Sequence, residues 1–101
     1  MKLRVHSSAE RELLAGAKWY EDRQPGLGDE FVDEYQAAIL RTLAAPNSFA
    51  RVETNKSRRI IRRCPLNRFP YYLAYEVRDD FILLLAVAHE KRRPNYWKRR
   101  R

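Results

Sequence analysis

The chain has 101 residues, with 21 Lys/Arg against 13 Asp/Glu and a formal net charge of +8. That length holds one domain, residues 1–101, around one core, and a 45% hydrophobic, 34% charged composition excludes a disordered chain. The longest apolar run, Phe81 to Ala88, is far short of the roughly 20 residues of a membrane-spanning helix, and the single cysteine, Cys64, excludes an internal disulfide.

In chain order, Lys2 to His6 alternates, with Leu3 and Val5 on one side, and reads as a short strand. Ser7 is positioned as an N-cap and Glu10 completes a capping box. The helix that follows runs to about Arg23, with Ala9, Leu13, Ala17 and Tyr20 on one face. Gln24-Pro25-Gly26-Leu27-Gly28 breaks it. A second helix is expected from near Asp29, where acidic residues suit the positive end of the helix dipole. Phe31, Tyr35, Ala38, Ile39, Thr42 and Leu43 form its buried stripe, and Ala45-Pro46-Asn47 stops it. Two helices joined by so short a break fold back as an antiparallel hairpin.

Residues 47–57 read as a polar loop, and Arg58 to Cys64 as an arginine-rich strand. Phe69, Tyr71, Leu73, Tyr75 and Val77 occupy every second position of the next strand. After the tight connection Arg78-Asp79-Asp80, Phe81 to Ala88 is apolar on both faces, as a central strand must be. Pro94 is expected to open a last helical turn through Tyr96 and Trp97. The order is β-α-α-β-β-β, an α+β domain with a helical hairpin packed on a mostly antiparallel sheet.

Charge is divided unevenly along this order. Residues 1–50 carry six Lys/Arg and eight Asp/Glu, whereas residues 51–101 carry fifteen and five. Such a division predicts a basic wall, beside the strands, that attracts a phosphate backbone or an acidic protein segment. The opening residues lack the apolar stretch of a signal peptide, so a cytoplasmic location is expected. His6, His89 and Cys64 lack metal-ligand spacing, and neither a metal nor a small-molecule cofactor is expected.

Several spaced motifs occur together. Arg68-Phe69-Pro70-Tyr71-Tyr72-Leu73-Ala74-Tyr75-Glu76-Val77, an acidic turn, Leu83 to His89, and Arg92-Arg93-Pro94-Asn95-Tyr96-Trp97 follow one another. Trp19-Tyr20-Glu21 and Pro25-Gly26-Leu27-Gly28 with Phe31 precede them. In this pattern the chain resembles the ParE/RelE toxin superfamily over nearly its whole length. The resemblance implies a RelE/ParE-like fold and the toxin of a type II toxin–antitoxin pair, held inactive by a cognate antitoxin. A ParE-like member implies a ParD-like antitoxin and inhibition of DNA gyrase. A RelE-like member implies messenger RNA cleavage on the ribosome. No membrane partner is implied.

The nuclease alternative needs a proton acceptor, a proton donor and positive charge on the phosphate. His89, Arg92 and Tyr96 are its candidates, with Arg93 a second source of charge. Against it, a RelE-like nuclease has an arginine where this chain has Tyr72, and tyrosine cannot hold a phosphate by charge. The ParE-like reading is therefore preferred, and a non-toxic nucleic-acid-binding module, supported by charge alone, ranks last.

Candidate contacts for target or antitoxin are Trp19, Arg62, Arg63, Arg68, Arg92, Arg93, Tyr96 and Trp97. Each has a plainer alternative. Edge arginines also serve to block sheet-to-sheet pairing, and His89 at a strand end is commonly a structural hydrogen-bond partner. Trp97 is weighed between stacking on a partner and covering the open end of the sheet, with covering favoured.

Overall fold

The computed structural model describes residues 1–53 and 58–101, and the distal part of the polar loop, residues 54–57, lies outside them. The elements are β1 (Lys2–Val5), α1 (Ser7–Arg23), α2 (Leu27–Ala44), β2 (Ile61–Pro65), β3 (Tyr71–Val77) and β4 (Phe81–His89). The sheet order is β1-β4-β3-β2, antiparallel except that β1 runs parallel to β4. This is the expected α+β order, and the doubly apolar β4 is indeed central.

The helix starts differ from expectation because side chains outside the local motif cap them. His6, not Ser7, is the N-cap of α1: its Nδ1 accepts the backbone N–H of Ser8 at 3.0 Å. α2 begins at Leu27 rather than Asp29. Gly26 caps it at φ 90°, a left-handed conformation that glycine adopts without strain. Glu21, still on α1, accepts the N–H groups of Gly26 and Gly28 at 3.0 and 3.1 Å. The hairpin is tight enough that a Cβ on Gly28 would lie 2.6 Å from the carbonyl oxygen of Ala17.

Both helices pack on one face of the sheet. Phe31, Phe69, Tyr20 and Tyr71 form an aromatic cluster there, with ring centroids 4.8 to 6.2 Å apart. β3 starts at Tyr71, since the backbone N–H of Tyr71 donates to Phe69 across a tight turn and leaves Phe69 as a buried loop anchor. β2 starts at Ile61, three residues later than its arginine-rich sequence implies. Its outer edge is covered by the loop segment Ala50 to Val52, which bonds to Ile61 and Arg63.

Among the described residues, no helix packs on the opposite face of the sheet. Ile61, Tyr72, Ala74, Leu83, Leu85, Ala86 and Ala88 face that way and are covered by the C-terminal tail. The tail is a run of turns, not a helical one, and Asn95 sits at φ 59° within it. Its Trp97 is fully buried (0% exposed) and donates from Nε1 to the Tyr72 hydroxyl at 3.0 Å. Glu76 is buried on the same face between Arg59 and Arg78, both within 3.2 Å. Burial pushes its carboxyl up, but hydrogen bonds and charge from the two arginines outweigh this and hold it below the ordinary carboxylate value.

Two outcomes follow. Trp97→Ala should destabilise the domain by about 3–5 kcal/mol, read by urea denaturation; an unchanged midpoint would mean the tail is not part of the core. Because the Glu76 carboxyl is depressed in the folded state, its contribution is complete above the ordinary value of 4.5 and is lost as pH falls through the lower folded value. Glu76→Gln should therefore flatten the acid limb of stability against pH, and a limb identical to that of the parent chain would reject this assignment.

Candidate functional site

β4 contains one irregularity. Ala74 pairs with Ala86 but Tyr75 pairs with Leu84, so Leu85 is an inserted residue, a β-bulge. The insertion changes which side chains face the helices. Ile82 and Leu84 do so before it, and Val87 does so after it. His89 follows in the same phase and meets the Tyr71 ring edge-on at 5.0 Å. β1 ends opposite Leu84, so beyond the bulge β4 has no strand on that side.

Glu12 fills this gap from α1. It was not singled out in the sequence, yet its spacing is informative: it lies three residues after Ala9 and four before Gly16, both buried, on the margin of the helix stripe. Its side chain is 13% exposed and its oxygens accept from the backbone N–H of Val87 at 3.1 Å and from Arg92 at 3.2 Å. Arg100 approaches to 2.8 and 3.1 Å and also donates to the Leu85 carbonyl at 3.0 Å. The Tyr96 hydroxyl donates to Glu12 as well. A carboxylate largely withdrawn from water is stable only when surrounded by such donors. This one ties α1, the bulge and the tail together.

Beside Glu12 a cleft of about 570 Å³ opens between α1 and the ends of β3 and β4. Ala15, Gly16, Trp19 and Tyr20 form its helical wall, Pro70, Tyr71 and Val87 its sheet side, and His89 and Arg92 its rim. Trp19 is 50% exposed, with the Arg23 guanidinium 3.7 Å above its ring. Arg92 stacks at 3.8 Å over Tyr96.

The candidates are thus divided. Trp19, His89 and Arg92 come together at the cleft, with Tyr96 next to Arg92. Arg62 is half-buried and donates to the carbonyl of Phe49 at 2.8 Å, holding the loop after α2. Arg63 lies on the helix-free face over Tyr72 at 4.0 Å. Arg68 pairs with Glu30 of α2 at 2.8 Å. Arg93 is exposed in the turn after β4. Trp97, being fully buried, presents no ring to a partner. The arginines therefore do not form one wall beside the cleft: alternation along β2 sends neighbours to opposite faces.

The nuclease candidates are chemically committed elsewhere. Burial raises the Tyr96 hydroxyl pKa, and its hydrogen bond to Glu12 and the charge there raise it further, so it stays protonated. Arg92 is paired with Glu12, and His89 Nδ1 accepts the Lys91 N–H at 3.0 Å. Tyr72 points to the helix-free face and holds Trp97.

Residues 3–94 match the family model described as ParE toxin of type II toxin-antitoxin system, parDE. The chain belongs to the ParE toxin family. Toxin ParE2 of Mycobacterium tuberculosis, in strains CDC 1551 / Oshkosh and ATCC 25618 / H37Rv, is 33% identical over 95 residues, spanning 93% of this chain and 86% of that protein. A chain from the chromosomal ParDE TA system from P. aeruginosa has the same fold, with a TM-score of 0.64 over 88% of this chain and 95% of the other at 17% identity. Among the described residues no helix is long and apolar enough to cross a membrane.

In this ParE-family chain, Glu12→Ala should lower stability by about 1–3 kcal/mol, the scale for leaving the hydrogen-bond partners of a partly buried group unsatisfied, and expose the tail to limited proteolysis. An unaltered denaturation midpoint together with an uncut tail would deny Glu12 its organising role.

Proposed function

We propose that this chain is a cytoplasmic toxin that inhibits growth by binding a protein target such as DNA gyrase, and that a ParD-like antitoxin neutralises it by seating a segment in the cleft beside Trp19. Family membership supports the toxin half of this reading. The observation that carries the choice of mechanism is the Glu12 carboxylate. It already engages Arg92 and Tyr96, the two residues with which a nuclease would neutralise a phosphate and move a proton. A toxin that acts by binding needs no such groups free.

The antitoxin reading is supported by the shape and chemistry of the cleft. Its aromatic wall suits apolar side chains, and Arg23, stacked on Trp19 at its margin, suits a carboxylate of an amphipathic acidic segment. Trp19, half-exposed and backed by Tyr20 at 5.0 Å, has the character of an interface anchor. The solved structural neighbour comes from a ParDE system, which points to the same kind of partner.

The test has two parts. Induction in a bacterial host should give filamentation and a DNA damage response while messages stay intact; prompt cleavage within translated regions would replace this reading with the RelE-like nuclease. Co-expression with the product of the neighbouring short reading frame should restore growth, and Trp19→Ala should weaken that complex by tenfold or more, about 1.4 kcal/mol, in calorimetric titration.

A further inference from the structure

The helix-free face has a charge character of its own. We infer that it is a second binding surface, built for the phosphate backbone of double-stranded DNA and separate from the cleft. Arg4 of β1 lies over the Phe81 ring at 4.5 Å, and Arg63 of β2 lies over Tyr72 at 4.0 Å. No carboxylate pairs with either guanidinium among the described residues. Stacking on an aromatic face fixes the guanidinium plane and leaves its N–H edge to donate outward. Lys98 and Arg99 add exposed charge from the tail that crosses this face over Trp97. Glu76, the buried acid of this face, is already occupied by Arg59 and Arg78; the other nearby acids, Glu53, Asp79, Asp80 and Glu90, sit in loops and turns at its margins.

Three features favour duplex phosphates over other polyanions. β1 and β2 are the two outer strands of the four-stranded sheet, which sets Arg4 and Arg63 roughly 14 Å or more apart, on the scale of the ~12 Å major groove between two phosphate strands. The rings on this face are either buried, as Tyr72 and Trp97 are, or lie beneath arginine, as Phe81 does, so unpaired bases find no open stacking platform. The large exposed apolar side chains lie on the helices (Leu14, Trp19 and Leu40) or at the ends of the edge strands (Met1, Val5 and Ile60), so an acidic protein would lack a central anchor here. Among the described residues no helix or strand projects from this face to read bases, so binding would follow phosphate spacing and not sequence.

The experiment titrates a labelled 20-base-pair duplex of random sequence with the full chain between about 50 and 200 mM salt. Four phosphate contacts, from Arg4, Arg63, Lys98 and Arg99, give a log–log salt slope of about −4. Arg4→Gln with Arg63→Gln, and Lys98→Gln with Arg99→Gln, should each make the slope shallower by about 2, with near-ultraviolet circular dichroism unchanged. Arg68→Gln, in the β2–β3 loop where Arg68 pairs with Glu30 on the helical side, should leave it as it was. An equal effect of Arg68→Gln would reduce the binding to net charge and overturn the inference. So would tighter binding to poly-glutamate or to an unpaired strand than to the duplex, or no binding at low salt. The toxin reading is untouched by any of these results, because growth inhibition and antitoxin binding are measured separately.

Discussion

A carboxylate from α1 enters the gap where β1 stops and β4 bulges, and most of what distinguishes this molecule depends on that contact. Glu12 takes the backbone N–H of Val87 and the side chains of Arg92, Tyr96 and Arg100. The partners come from the bulged end of β4 and from the tail that follows it. An ionised group at that depth is tolerated only with a full set of donors, so the helix, the strand and the tail must arrive together. The tail is then drawn over the helix-free face, where Trp97 completes the core.

The same contact explains why a chain so rich in arginine offers few free ones near the cleft. Arg92 and Arg100 are turned toward Glu12, and Arg62 and Arg68 hold a loop and a helix start. Neutralised in this way, the cleft is a mostly apolar, aromatic recess bordered by Glu12, His89 and Arg92. The β-bulge contributes by turning Val87 and His89 inward; with unbroken alternation these positions would face the tail.

Family likeness and local chemistry operate at different levels. A fold shared at 17% identity with a chain of a ParDE system rests on the layer arrangement of a helical hairpin on a mixed sheet. That arrangement requires little more than apolar stripes of the right period. The character of each face comes from a few side chains placed on it, and so a common scaffold can serve different targets.

How much was legible beforehand can be judged from particular residues. Alternation at Leu3 and Val5 and at Tyr71, Leu73, Tyr75 and Val77, the helical stripes through Tyr20 and Phe31, and the unbroken apolar run from Phe81 place five of the six elements closely, whereas the arginine-rich strand begins three residues later than its composition implies. Helix starts were missed where the cap came from His6 or from Glu21 across the hairpin, since neither matches the local capping pattern. Glu12 has no local signature because its partners lie 75 to 88 residues away. By itself, then, the amino-acid order determined the periodic elements, their sequence and the family, all of which depend on neighbours within a few residues. Only the tertiary structure decided which arginines were consumed by internal partners, which face each edge residue took and where Trp97 went, because burial and charge pairing are set by groups that meet only once the chain has folded.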